Sequence, residues 1–130
     1  MPGPHFSSSP ITSTGDSANI SMAGRIGIVD IGSNTVRLVV YDAPARLPVP
    51  IFNERVACEL GKGLGQTGRL NPEGVELAMR TLGRFTNLVR EMKVERFVLL
   101  ATAAVRDSSD GNEFVEDIKR RFGFPVRVLS

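Results

Sequence analysis

Tryptophan is absent from this 130-residue chain, and tyrosine, histidine and cysteine occur once each, as Tyr41, His5 and Cys58. A single cysteine excludes an internal disulfide and fits a reducing cytosol, so a cytoplasmic location is expected. With no Trp and one Tyr there is little to stack on bases, which speaks against a nucleic-acid module. Excess charge of one sign is also missing. Lysine and arginine total 16 against 14 acidic residues, a net charge of +2, and the two signs are interspersed rather than gathered into a basic patch. No apolar run approaches the ~20 residues of a membrane helix, so no membrane partner is expected. No activating base stands beside Cys58, which reads as a small apolar residue on a strand. His5 stands alone in a polar tail and carries no evident chemistry.

What is present is a soluble globular composition, 42% hydrophobic and 23% charged. The chain is long enough for one domain with its own core. Residues 1–24 differ from the rest. They are rich in Ser, Pro, Thr and Gly, poor in large apolar residues, and lack the basic start and apolar centre of a signal peptide. Such a segment buries too little surface to offset its ordering entropy, so a disordered leader is expected there and a folded domain over 25–130.

The ordered part opens with Ile26–Ile31, short and β-branched, hence a buried strand. Gly32-Ser33-Asn34 signals a turn, and Val36–Tyr41 is a second β-rich run, so the two make a hairpin. Ala43–Pro50 holds Pro44, Pro48 and Pro50 and reads as a connection. Ile51–Leu60 gives a third extended segment, and the glycine-rich Gly61–Gly68 a loop.

The period then changes. Asn71 is placed to cap a helix with Pro72 at its first position and Glu73 and Glu76 near its positive end. Val75, Met79, Leu82, Phe85, Val89 and Met92 form one apolar stripe, leaving Arg80, Arg84 and Arg90 on a solvated face. Arg96–Ala101 is a strand, Thr102–Asp107 a loop or short helical turn, and Asp110-Gly111-Asn112 the entry to a second helix. Phe114, Val115, Ile118 and Phe122 are its inner stripe, Gly123 its stop, and Val126–Leu129 a last strand. The order βββαβαβ predicts an α/β domain with a mixed sheet. Three leading strands form an antiparallel meander, and two later strands return in parallel through helical crossovers. This is the ribonuclease H-like layout found in each half of actin-like ATPases.

Asp30–Arg37 is the stretch that carries chemistry. It places a carboxylate at the end of a buried strand, then Gly32, which allows a tight turn and close backbone approach. Ser33, Asn34 and Thr35 offer backbone N–H groups and side-chain donors at the tip, a nest able to hold phosphate oxygens. Arg37 adds a permanently charged, bidentate contact. Asp30 is suited to hold Mg²⁺ through water. On these residues alone, a plain hairpin turn with solvated polar side chains remains an equal reading.

The wider pattern resembles the exopolyphosphatase / guanosine pentaphosphate phosphohydrolase (Ppx/GppA) family. Ile28–Leu38 is similar to that family's first phosphate motif, Leu60-Gly-Lys-Gly-Leu64 to its Leu-Gly-x-Gly segment, and Leu70-Asn-Pro-Glu-Gly74 to the start of its first helix. Ala101-Thr-Ala-Ala-Val-Arg-Asp107 resembles its Ala-Thr-x-Ala-hydrophobic-Arg signature, and Asp110-Gly-Asn-x-Phe114 fits the helix start after it. The resemblance runs from about Arg25 to Ser130. It implies the N-terminal lobe of an actin-like fold and Mg²⁺-dependent removal of the terminal phosphate from linear polyphosphate, guanosine pentaphosphate, or both. It also implies that Gly32, Ser33, Asn34 and Thr35 bind phosphate, that Asp30 sits by the metal, and that Arg37 and Arg106 line the phosphate path.

In that family a Gly-x-Glu-Glu-Ala segment and a second glycine-rich phosphate loop follow the last strand, and the glutamate activates the attacking water. This sequence stops at Ser130, before either, so the 130 residues alone are expected to be inactive. Another actin-like lobe, of a sugar kinase or chaperone-type ATPase, would follow Asp-x-Gly with Thr or Gly-Thr, unlike Ser33-Asn34-Thr35. A non-enzymatic phosphate-chain-binding piece is the other alternative, and a homodimer through an exposed sheet face or edge the expected form of association.

Overall fold

The computed structural model describes residues 24–42 and 49–130. The leader expected over 1–24, apart from Gly24, lies outside these residues, as do His5 and most of the proline-rich connection.

Among the described residues, five strands and two long helices follow the expected order, and two short helices are added. The elements are β1 (Arg25–Ile31), β2 (Thr35–Tyr41), β3 (Pro50–Ala57), α1 (Leu64–Thr67), α2 (Pro72–Glu91), β4 (Val94–Ala101), α3 (Ala103–Asp107), α4 (Gly111–Phe122) and β5 (Val126–Val128). The sheet order is β3-β2-β1-β4-β5. β1, β2 and β3 pair antiparallel, while β4 and β5 join in parallel, as helical crossovers require. The Gly61–Gly68 loop contains the single turn α1, and the alternative left open for Thr102–Asp107 resolves as the short helix α3.

α2 and α4 pack on one face of the sheet and against each other. Strand alternation turns Leu38, Val29 and Leu99 toward them in one register row, and Val36, Ile31 and Ala101 in the next. Phe85, Leu82 and Val89 of α2 and Phe114 and Ile118 of α4 close that core. Phe97 and Phe124 meet edge to face, centroids 4.9 Å apart. The buried face of α2 is centred on Ala78, Leu82, Phe85 and Val89, while the expected Val75 and Met92 are only partly buried. The opposite sheet face bears Ile28, Val39 and Val98, of which Val98 is 37% exposed.

Two readings of side chains need correction. Arg84 is not merely a solvated residue: it makes a two-pronged ion pair with Glu54 of β3 at 2.9 and 2.6 Å and lies over the Phe85 ring. Cys58 lies just past β3 rather than in it, and burial pushes its thiol pKa up, partly offset by a hydrogen bond with Thr81. Such a thiol is inert. Among the described residues no helix is long and apolar enough to cross a membrane.

Candidate functional site

β1 ends at Ile31 and β2 begins at Thr35, so Gly32, Ser33 and Asn34 form the tip of the hairpin. The amide of Gly32 closes the turn by donating to the Thr35 carbonyl at 2.9 Å. The carbonyls of Ser33 and Asn34 are also taken. They accept from the amides of Gly61 and Glu59, each at 2.9 Å. Both carbonyls therefore face the loop after β3. The N–H groups of Ser33 and Asn34 have no acceptor among the described residues. Two successive free amides in a turn are donors of the kind that can hold an anion. Thr35 is half-buried and shares the outer sheet face with Arg37.

The loop that holds the tip was not anticipated as part of the site. Glu59 adopts a left-handed backbone with φ 56°. Its carbonyl accepts from the Asn71 side-chain amide at 3.0 Å, and the Asn71 backbone N–H donates to the Leu60 carbonyl at 2.9 Å. Asn71 stands at the predicted helix start, yet its side chain makes no capping bond there and secures the loop instead. Gly74, one turn into α2, permits this contact: a Cβ there would lie 2.5 Å from the Cys58 carbonyl. The Leu60–Leu64 motif marked this loop in the sequence, but nothing local revealed what it grips.

Asp30 and Arg37 face each other across β1 and β2. They form no ion pair: the Arg37 Nε donates to the Asn53 Oδ1 at 3.1 Å, and Asp30 is exposed without a partner among the described residues. No group of three or more His, Cys, Asp or Glu side chains gathers among those residues. A closed metal cage is therefore not built there. A lone carboxylate without a partner among the described residues, near two free amides, fits Mg²⁺, which keeps several waters and needs few protein ligands.

Arg106 reaches the same end of the sheet from α3. The Ile31 carbonyl accepts from the Thr102 amide at 3.2 Å, and the Thr102 carbonyl accepts from the Arg106 amide at 3.0 Å. Buried Ala104 and Val105 seat the helix and leave Arg106 outward. Gly111 lets α4 approach it so closely that a Cβ there would lie 1.9 Å from the Val105 carbonyl. The Arg106 guanidinium binds the Asp107 carboxylate at 2.9 and 3.3 Å and the Leu129 carbonyl at 3.3 Å. The hydrogen bond between them raises the Arg106 pKa and lowers that of Asp107. Ile31, Ala101 and Val128 share one register row, so hairpin tip, α3 and the end of β5 crowd the carboxyl ends of the parallel strands. Ligands of open α/β sheets bind at such ends. The structure thus gathers Asp30, Gly32–Thr35 and Arg37 on one hairpin and sets Arg106 at the same end of the sheet, its guanidinium held by Asp107 and the Leu129 carbonyl.

Comparison with known proteins agrees with this fold. The chain is 33% identical to a solved Ppx/GppA family member from Aquifex aeolicus, with a TM-score of 0.78 over 82% of this chain and 35% of that one. A solved exopolyphosphatase from Cytophaga hutchinsonii is 32% identical, with a TM-score of 0.75 over 81% of this chain and 34% of that one. Exopolyphosphatase 1 of Mycobacterium tuberculosis is 26% identical over 106 residues, 81% of this chain and 31% of the relative. The chain thus spans about a third of the length of these relatives. The expected ribonuclease H-like, actin-like lobe is the fold observed. A sequence model described as the Ppx/GppA phosphatase family matches residues 39–130, and the chain belongs to that family.

Proposed function

We propose that this chain forms one lobe of a Mg²⁺-dependent phosphohydrolase that removes the terminal phosphate from linear polyphosphate, guanosine pentaphosphate, or both. The observation that carries the reading is the pair of unpartnered amides at Ser33 and Asn34 beside an unpaired Asp30. The printed names of the relatives, exopolyphosphatases of Mycobacterium tuberculosis and Cytophaga hutchinsonii, support the substrate class.

Phosphoryl transfer needs positioning and charge stabilisation more than covalent chemistry from the protein. In this reading the two amides, with the Ser33 and Thr35 hydroxyls, hold oxygens of the terminal phosphate. Arg37 approaches from β2 and fixes its orientation. Arg106 approaches from α3 once phosphate displaces Asp107. Asp30 holds the cation through water, and Mg²⁺ when bound supplies neutralisation of the phosphate oxygens. No carboxylate of this set is left to activate water: Asp30 serves the cation and Asp107 binds Arg106. The 130 residues by themselves therefore bind phosphate without appreciable turnover.

The test is an amide NMR titration with tripolyphosphate and Mg²⁺, followed by a single-turnover assay. The Ser33 and Asn34 resonances are expected to move most, with no hydrolysis. Unmoved tip resonances overturn the phosphate site. Hydrolysis by the 130-residue chain overturns the reading that neither Asp30 nor Asp107 serves as the base.

A further inference from the structure

On the outer face of the sheet, register sets one row of side chains. Arg55 of β3 faces Arg37 of β2, Arg37 faces Asp30 of β1, Asp30 faces Leu100 of β4, and Leu100 faces Arg127 of β5. Two guanidiniums are thus contiguous on the β3 side of Asp30, whereas on the β5 side an apolar residue interrupts.

Neighbouring strands lie ~4.8 Å apart. Like charges directly opposed at that spacing destabilise a sheet. Among the described residues only Asp30, across from Arg37 on the side away from Arg55, offsets part of this charge, and it forms no ion pair with either guanidinium. Arg37 donates to the neutral Asn53 amide oxygen, and Arg55 is exposed with neither hydrogen-bond nor ion-pair partner. The carboxylate next to Arg55 in sequence, Glu54, points to the other sheet face and is bound by Arg84. Arg55 therefore has no carboxylate of its own, and an anion between or above the two guanidiniums would stabilise the pair.

We propose that Arg55 is a second phosphate contact: a linear phosphate chain held by its end at the hairpin tip runs over Arg37 to Arg55, toward the β3 edge. The proposal rests on the reading of the tip as a phosphate site and goes beyond it, because it selects a ligand. A short phosphate chain is satisfied by the tip and Arg37. A long linear chain reaches Arg55 and gains a further charge-assisted contact. Arg55 thereby favours linear polyphosphate over the short phosphate groups of a nucleotide.

The experiment measures affinity of the full 130-residue chain for tripolyphosphate and for long-chain polyphosphate, over a range of salt, for wild type and for R55Q, R55K and R127Q. R55Q is expected to weaken the long chain about fivefold, the upper scale of one solvent-exposed ion pair. Its plot of log affinity against log salt becomes shallower by roughly 0.7 to 1, one phosphate contact fewer. R55Q leaves tripolyphosphate within about twofold and the melting temperature unchanged or higher, since a repulsion is removed. R55K falls between, keeping charge without the fork, and R127Q changes neither ligand. The proposal is overturned if R55Q weakens both ligands alike, if R127Q matches R55Q, or if R55Q keeps wild-type affinity for the long chain. Should tripolyphosphate leave the Ser33 and Asn34 resonances unmoved, the tip itself is not a phosphate site and both readings fall. Moved resonances with an unaffected R55Q remove only Arg55.

Discussion

Glu59 donates its backbone N–H to the carbonyl of Asn34 at 2.9 Å, and does so from a left-handed backbone with φ 56°. That conformation costs a non-glycine residue about 1–2 kcal/mol. It persists because Asn71 and Asn34 hold the residue from both sides. Glu59→Gly is therefore expected to stabilise the fold by about 0.5 kcal/mol, after allowing for the extra freedom of glycine in the unfolded chain. Glu59→Val, β-branched at positive φ, is expected to lose more than ~1 kcal/mol. Urea midpoints at constant m-value give both numbers. A destabilised Glu59→Gly would show that the side chain, not the backbone, matters at this position.

Gly111→Ala places a methyl group 1.9 Å from the Val105 carbonyl, and backbone cannot yield as a flexible side chain does. We expect a loss of about 2–3 kcal/mol, typical of overpacking. The displacement falls on α3, so a variant that still folds should lose phosphate affinity along with stability. Calorimetry and the tripolyphosphate titration together read this. An alanine variant with wild-type melting temperature would contradict the close packing of α4 on α3.

The Glu54–Arg84 pair ties β3 to α2 through 2.9 and 2.6 Å contacts. Arg84, chiefly through its hydrogen bond, lowers the Glu54 pKa. A depressed folded-state pKa contributes stability that is present above the unfolded value, about 4.3, and disappears as pH falls through the folded value. Both side chains are partly exposed, at 35% and 47%, so solvent screening keeps the coupling to ~0.5 kcal/mol. A double-mutant cycle with Glu54→Gln and Arg84→Gln at neutral pH should return that figure, shrink with added salt, and approach zero in acid. Coupling that grows as pH falls would reverse the sign of this argument.

Asp107 holds the Arg106 guanidinium, so in the proposed site it would compete with phosphate. Asp107→Asn removes the competing charge while keeping the shape, so phosphate affinity at the tip is expected to rise about two- to threefold, with the gain fading at high salt. In Arg106→Gln the same substitution at 107 should have no effect. Isothermal titration of the two single variants and the double variant distinguishes release of Arg106 from a general change in charge.

Much of the candidate site was legible because it lies within one short stretch. The carboxylate at a strand end, the glycine, the polar tip and Arg37 are neighbours in sequence, and the hairpin that unites them follows from two β-branched runs around a turn signal. The amphipathic period of α2 and the glycine stop of α4, observed at Gly123 with φ 83°, were equally local. What was missed depends on contacts distant along the chain. Arg84 was assigned to solvent because its own helix gives it no partner, and its partner comes from β3. Asn71 does stand at the N-cap of α2, but the folded chain offers its side chain the Glu59 carbonyl in place of a capping bond.

The amino-acid order alone determined the five strands and the two long helices, and that three strands precede the first crossover, because propensity and periodicity act over a few residues. Only the tertiary structure decided which amides at the tip stay unpaired, that Asp30 and Arg37 face each other without bonding, and that Arg55 joins their row. Those facts depend on register and on a loop that folds back from beyond β3. Side-chain alternation makes register all-or-none: a shift of one residue would turn Arg37 and Arg55 into the core.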